Sequence, residues 1–471
     1  MRRVRLTALE LVIQGVTCLG CSMQPSPPPP ELLIRDVTVL SMDEEPPRRN
    51  SILVRGDRIA YVGPTASLPS APNTRVVDGT GRFVIPGLID MHTHVSKTRG
   101  SSLSLLVSKG VTTVRDLGGD HEELLAWRRE IDAGGRIGPQ LLIAGPYLES
   151  SSNAARQHAT PAGEMVEPVE RTRVGVATPA DADRIIAAIA ARGVDHLKIR
   201  TTSERETYLA IGAAAKRHGL ALAGHIQEYS PDDILLSGQT SLEHGFYPPL
   251  DERAGVDRRS LFARLAAAGV VMVPTLVVLE NLGTPDDETL KRQVAEADNP
   301  ANRRRMLSAY LRADWREQLA EQGPERRPSY KRLQDSSRRD LRDLRAAGVR
   351  ILAGTDIGVL NIVPGQSLHE ELKLLIRDAG LSPLEALRAA TRDAAVFLGR
   401  GHEIGTIAAG RRADLVLLDA DPLADISHVS RISGVVLRGR LFDQGELTRL
   451  VDEVSAAPDV AANDWPRAPA R

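Results

Sequence analysis

The chain has 471 residues, 42% of them hydrophobic and 26% charged, which supplies a large packed core and argues against a chain that is disordered throughout. Sixty Lys and Arg residues stand against 61 Asp and Glu residues, so the formal net charge is only −1. This balance does not favour a nucleic-acid groove or a polybasic membrane patch. We therefore expect a small-molecule partner, and a homo-oligomer stays open.

Residues 1–21 have the pattern of an N-terminal leader. Three arginines stand in the first five residues, a mostly apolar stretch follows, and the segment ends at Cys21. The pattern resembles a bacterial lipoprotein signal in which Cys21 is lipidated, and residues 22–30 form a proline-rich spacer that suits a tethered protein. We expect a lipid-anchored protein of the cell envelope or periplasm, with the anchor as its only membrane contact. A cytoplasmic protein is the alternative.

Short strand patterns separated by turns occupy residues 31–84, and a similar pattern returns at residues 400–445. A few strands cannot bury a core alone, so we expect the two segments to pair into one small discontinuous β-sandwich domain. Residues 446–471 are rich in Ala, Pro and Asp and are expected to form a loose tail.

Between these segments, residues 85–399 alternate β-branched runs with helical stretches, which is typical of a parallel α/β architecture. A long charged stretch at 281–348 is interpreted as a helical insertion that could cover the mouth of a barrel. Eight runs can be counted, the number that closes a (β/α)8 TIM barrel, at residues 83–91, 111–116, 141–144, 196–199, 221–224, 240–243, 270–273 and 349–353.

Two histidines, His92 and His94, stand at the end of the first run. Side chains at i and i+2 leaving a strand point to the same side, so both imidazoles can reach one cation. Barrel enzymes keep their active sites at the C-terminal ends of the strands. Other metal-competent side chains occupy the ends of later runs: Lys198, His225, His244 and Asp356. Packing could explain any one of these six residues, but together they indicate a metal site.

This ordered set of residues resembles the amidohydrolase superfamily. The chain is similar to the imidazolonepropionase-like, prolidase-type branch of that superfamily over about residues 32–443. The stretches that carry this similarity are 110–118, 195–198, 369–372, 382–391 and 405–416.

The resemblance implies two divalent ions, such as zinc. His92, His94 and Asp356 would bind one ion, and His225 and His244 would bind the second. The resemblance also implies that Lys198 bridges the ions in a carboxylated form. An unmodified lysine ammonium has only hydrogen-bond donors and could not be a ligand.

The resemblance implies hydrolysis of a carbon–nitrogen bond. A bound divalent ion would make hydroxide available for this reaction near neutral pH. Asp356 would accept the proton of the attacking water and return it to the leaving nitrogen. We expect a small amide substrate, either a dipeptide or an N-acyl amino acid. Arg200 and Tyr229 are candidates for holding its free carboxylate.

Two alternatives stay open. His225 and Glu228 also match the His-x-x-Glu pattern of one-metal deaminases and of imidazolonepropionase, in which the glutamate works on a ring nitrogen. Lys198 would then be structural, and the enzyme would be a mononuclear deaminase or a cyclic-imide or lactam hydrolase. The second alternative is a non-catalytic binding protein on the same barrel.

Overall fold

The computed structural model describes residues 31–43, 46–68, 74–154, 172–227, 229–246, 249–250, 255–283, 287–295, 306–321 and 327–456. The predicted leader with Cys21, the proline-rich spacer and the end of the predicted tail lie outside these residues, as does Glu228. What was inferred for them stays a prediction. Within the described part, no helix combines the length and apolar character needed to cross a bilayer.

The two ends of the chain pair into one β-sheet. The strand order is β18-β17-β16-β5-β1-β2-β3 with β4 beside β1, and the antiparallel pair β16–β5 joins the two segments. The predicted pairing of the ends is therefore observed, but these strands lie in a single sheet and a two-sheet sandwich is not confirmed. The strands are β1 (Glu31–Val39), β2 (Arg48–Arg55), β3 (Arg58–Gly63), β4 (Arg75–Asp78), β5 (Phe83–Pro86), β16 (Leu415–Leu418), β17 (Ile432–Leu437) and β18 (Arg440–Asp443).

The run at 83–91 forms two strands rather than the single barrel strand that its pattern predicts. β5 ends at Pro86 in the terminal sheet, whereas β6 (Leu88–Thr93) begins a separate parallel sheet. Gly87 lies between them, and a Cβ at this position would stand 2.1 Å from Thr112 Oγ1. A proline followed by a site with room only for glycine divides the run, and the continuous apolar pattern hides the break.

The remaining strands are all parallel and form two sheets, β6-β7-β8 and β10-β9-β11-β12-β13-β14-β15. Each of the eight predicted runs overlaps one of these strands, and the pattern did not predict β9 and β10. The strands beyond β6 are β7 (Val111–Asp116), β8 (Gln140–Ile143), β9 (Tyr147–Ser150), β10 (Arg173–Val176), β11 (His196–Ile199), β12 (Ala221–His225), β13 (Gln239–Glu243), β14 (Val271–Val273) and β15 (Arg350–Ile351).

Backbone hydrogen bonds link both edges of the three-stranded sheet to the seven-stranded sheet or to residues that flank its strands. Met91 N donates to Ala353 O at 2.9 Å, and Asp195 N donates to Ile143 O at 2.8 Å. The parallel α/β architecture is confirmed. The described strands are nevertheless divided between two hydrogen-bonded ladders, so one continuous closed ladder is not seen.

Helices follow most of the parallel strands, because parallel neighbours need crossover connections. Helices α8 to α10 fall within the predicted insertion at 281–348, and α7 ends inside it. The described helices are α1 (Ser102–Ser108), α2 (His121–Asp132), α3 (Pro179–Ala190), α4 (Arg205–Arg217), α5 (Asp233–Ser237), α6 (Arg258–Ala267), α7 (Leu276–Gly283), α8 (Asp287–Ala295), α9 (Ala309–Glu321), α10 (Arg327–Ala346), α11 (Gln366–Ala379), α12 (Pro383–Ala389), α13 (Arg392–Phe397) and α14 (Gln444–Ala456).

The first part of the predicted loose tail, 446–471, is instead helical. Helix α14 packs against α1 and buries Leu447, Leu450 and Val454. These apolar residues recur at helical spacing and form one face, which is enough to hold the helix on the core. The composition that suggested a loose tail comes mostly from residues beyond 456.

Because His369 in α11 is buried, we expect the free energy of unfolding to depend on pH. Its Nε2 atom donates to Lys109 O at 2.9 Å, and burial lowers its pKa from 6.5 to about 4. The unfolded chain therefore binds more protons between these two values, so stability falls as the pH drops through that window. We expect His369→Gln to remove up to about 3 kcal/mol of this pH dependence, measured by urea unfolding at pH 7 and pH 4.

The same substitution at exposed His402 serves as the control. If the free energy of unfolding of His369→Gln depends on pH as strongly as that of the wild type, His369 makes no such contribution.

Candidate active site

Three predicted ligands meet where β6 and β15 end. His92 lies in β6, His94 follows it, and Asp356 follows β15, with its backbone N–H donating to His92 O at 2.7 Å. Ligand atoms of these three buried residues all lie within 4.8 Å of one another. Asp356 Oδ1 stands 3.2 Å from His94 Nε2 and 3.5 Å from His92 Nε2. One cation can be reached by all three side chains.

Two further histidines lie beside this group. The ring centroids of His225 and His244 are 5.0 Å apart, and the His244 and His92 centroids are 4.7 Å apart. His244 Nε2 lies 4.0 Å from Asp356 Oδ2. The structure thus brings all the predicted histidines and Asp356 together at the ends of four strands.

Three of these imidazoles are fixed through their Nδ1 atoms. His92 Nδ1 pairs with Glu243 Oε2 at 2.8 Å, His94 Nδ1 with Gly118 O at 2.8 Å, and His244 Nδ1 with Thr275 Oγ1 at 2.7 Å. Such contacts orient a metal-binding histidine and leave Nε2 free for the ion. The ring geometry therefore suits metal binding through Nε2.

Glu243 is a buried carboxylate at the centre of this arrangement. It accepts hydrogen bonds from Arg115 Nη2 at 2.8 Å and Ser241 Oγ at 2.6 Å, in addition to the contact with His92. Burial alone would raise the pKa of Glu243, but Arg115 and His92 outweigh it and hold that pKa well below its usual range. Glu243 is thus ionised and able to fix His92.

Lys198, in β11, is 1% exposed, and its Nζ atom has no hydrogen-bond partner among the described residues. Burial lowers its pKa from 10.5 to about 8. The Nε2 atom of His92 is also buried and makes no hydrogen bond within the part of the chain that the structure describes. Unpaired buried polar atoms are costly, so both fit a group that the side chains are arranged to bind. A metal ion with a carboxylated lysine would satisfy them.

These side chains open into a cavity of about 740 Å³. One wall is apolar and comes from α7 and α10, with Val278, Leu279, Leu282 and Leu333. A polar wall of the same cavity includes Lys97, Tyr147, Arg200, Thr202 and Tyr229, so the predicted substrate contacts Arg200 and Tyr229 both line the cavity.

The amidohydrolase family profile matches residues 83–442, which is most of the chain. The chain belongs to the amidohydrolase family. Members of this family are metal-dependent hydrolases that act on carbon–nitrogen bonds, and the His-His-Asp group described above is consistent with metal binding.

Curated relatives span most of the chain. An imidazolonepropionase from Rubrobacter xylanophilus is 26% identical over 426 residues, covering 84% of this chain and 91% of the relative. An ochratoxinase from Aspergillus niger is 25% identical over 494 residues, covering 94% and 96%. A solved Xaa-Pro dipeptidase with bound methionine shares the fold, with a TM-score of 0.65, 21% identity and coverage of 88% of this chain and all of that chain.

In this amidohydrolase, the two candidate carboxylate anchors already have protein partners. Arg200 Nη1 donates to buried Glu149 Oε1 at 3.1 Å, and Arg173 donates to the same oxygen. The Tyr229 hydroxyl lies 3.1 Å from both the carbonyl oxygen and the hydroxyl of Thr202. Two guanidinium groups share one carboxylate, so this wall keeps a positive charge that could attract an anionic group.

Sequence reasoning missed the residues that support the ligands, above all Glu243, Arg115 and Thr275. Arg115 and Glu243 each stand at or near the end of a run that otherwise reads as a buried strand. Charged residues are almost never fully buried unless they are paired, so two of opposite sign in such runs were a usable signal. Thr275 carries no comparable signal in the sequence.

Glu243→Gln should destabilise this amidohydrolase, because it leaves the Arg115 guanidinium buried without a counter-charge. Breaking a buried ion pair from one side costs about 3–5 kcal/mol. Urea unfolding of the full chain, with metal removed by chelation, measures the loss.

The matched control is Glu122→Gln, since Glu122 pairs with Arg192 where both side chains are about half exposed. This change should leave the unfolding midpoint nearly unchanged. A loss at Glu243 no greater than the loss at Glu122 would contradict the role given to the buried pair.

Proposed function

We propose that this amidohydrolase cleaves small amides that carry a free carboxylate, such as dipeptides or N-acyl amino acids, at a two-metal centre. The observation that carries the proposal is the buried Lys198 Nζ atom, which has no hydrogen-bond partner among the described residues beside a cluster of histidines. A bare ammonium makes no hydrogen bond there with the described residues, whereas a carboxylated lysine would offer two oxygen ligands.

The residues fit two ions. His92, His94 and Asp356 would hold one, His225 and His244 would hold the other, and carboxylated Lys198 would lie between them. When bound, divalent metal ions such as zinc lower the pKa of water and polarise the substrate carbonyl. The strands β6 to β8 and β11 to β15, five of which supply these ligands, would form one eight-stranded barrel.

Asp356 is the residue proposed to move the proton. Its Oδ1 atom lies against His94 Nε2, whereas Oδ2 is 4.0 Å from His244 Nε2 and has room for a new contact. The Oδ2 atom would accept the proton of the attacking water and return it to the departing amide nitrogen. Glu243 would keep His92 oriented through the reaction.

The two walls of the cavity suit an amphipathic substrate. The α7 and α10 wall would take an apolar side chain or acyl group, and the polar wall would take the carboxylate. Arg200 offers a guanidinium, and Tyr229 offers a hydroxyl that would exchange its contact with Thr202 for the substrate. A relative crystallised as an Xaa-Pro dipeptidase supports this substrate class.

A one-metal enzyme acting on a cyclic substrate is the second candidate. The imidazolonepropionase relative favours it, since 91% of that protein is matched by this chain. In that case Glu228 would contact a ring nitrogen and Lys198 would be structural. The two candidates differ in their requirement for a free substrate carboxylate beside a linear amide bond.

The test compares kcat/KM for a dipeptide library with kcat/KM for the C-terminally amidated versions. We expect amidation to lower kcat/KM by roughly 10-fold or more, because it removes a charge-assisted hydrogen bond. Arg200→Gln should shrink this difference, whereas Arg217→Gln, on an exposed surface, should not.

Asp356→Asn should lower kcat by about 100-fold or more while the unfolding temperature changes little.

Equal rates on free and amidated dipeptides would contradict the carboxylate-anchored substrate. Turnover of cyclic imides without turnover of any linear amide would favour the one-metal candidate instead.

A further inference from the structure

Hydrogen bonds at the two ends of one short backbone segment connect a buried glutamate outside the cavity to one of the proposed ligands. Thr275 follows β14 and directly precedes α7, and its hydroxyl contacts His244 Nδ1 at 2.7 Å. Thr275 is fully buried and is absent from the cavity lining, so it cannot be explained as a substrate contact.

Both residues of this contact have left-handed backbones. Thr275 has φ 46° and His244 has φ 70°. A β-branched residue is rarely found there, and strain of this kind persists only where the surrounding structure holds it. Two strained residues joined through their side chains indicate that the contact itself is what the local fold maintains.

Glu371, in α11, holds the turn that contains Thr275. Its Oε1 atom accepts from Leu276 N at 3.0 Å and its Oε2 atom accepts from Val277 N at 2.8 Å. These are the first N–H groups of α7, which have no partner within the helix, so the Glu371 carboxyl group supplies the acceptors that they lack. Glu371, Leu276 and Val277 are all buried, so bulk water does not compete for these two hydrogen bonds.

The proton on His244 follows from this geometry. If a metal ion takes Nε2, the ring must carry its proton on Nδ1, and Thr275 Oγ1 must accept that hydrogen bond. A shift of the α7 N-terminus would move Thr275 and turn the ring. The apolar residues Val278, Leu279 and Leu282 on the same helix would move with it.

We propose that Glu371 is a positioning residue, which acts through the N-terminus of α7 and Thr275 to hold His244 in the orientation that binds the second metal ion. This inference rests on the proposed two-metal function. It also assigns α7 a double role, because the same helix forms the apolar wall of the cavity and sets the orientation of His244.

The test measures zinc retained by the purified full-length protein after dialysis against graded chelator concentrations. Thr275→Val removes the hydroxyl but keeps the β-branched shape. We expect it to lower the affinity for one of the two zinc equivalents by about 10–100-fold. Thr275→Ser keeps the hydroxyl and should retain both equivalents like the wild type. Glu371→Gln should lower the affinity for the same zinc equivalent. The amide oxygen can take the place of one carboxyl oxygen, but the amide nitrogen is a donor and leaves the other backbone N–H without its acceptor.

The double variant Glu371→Gln with Thr275→Val should lose little more than Thr275→Val alone, since both changes act on one contact. Wild-type retention in Thr275→Val, with two equivalents bound, overturns the inference and leaves the two-metal proposal standing. A wild-type protein that retains a single equivalent contradicts the two-metal centre, and with it the role given to His244.

Discussion

The candidate site depends on how its imidazole rings are held. An isolated histidine can rotate and can carry its proton on either nitrogen, whereas His92, His94 and His244 each have Nδ1 fixed by an oxygen atom of the protein. Each of those oxygen atoms comes from a different strand end or from the turn that follows it. The parallel sheets therefore place the ligands and also fix the direction in which each ligand can bind.

Buried charge is the second constraint. Arg115 and Glu243 neutralise one another inside the parallel strands, so Glu243 can hold His92 without remaining an unpaired charge. Lys198 lies in the same interior, and its Nζ atom has no such hydrogen-bond partner among the described residues. The contrast between these neighbours is the physical reason for treating Lys198 as a site of chemistry rather than of packing.

Eight of the ten described parallel strands and the cluster of histidines with Asp356 could be predicted from the sequence, because each of these strands coincides with a short apolar run and each ligand in the cluster follows one. It could not show that the run ending at Met91 divides at Gly87, since the break depends on the space beside Thr112. The Glu371 carboxyl group contacts backbone N–H groups 95 and 94 positions away, and Thr275 contacts His244 31 positions away. No local sequence pattern reports such pairing. The α14 helix was hidden by the composition of the residues after it.

A crystal structure of the zinc-loaded protein would test the central claim most directly. The two-metal account predicts density that extends beyond Lys198 Nζ as a planar group between two ions, with His92, His94 and Asp356 on one ion and His225 and His244 on the other. A free Lys198 ammonium beside one fully occupied ion would contradict it.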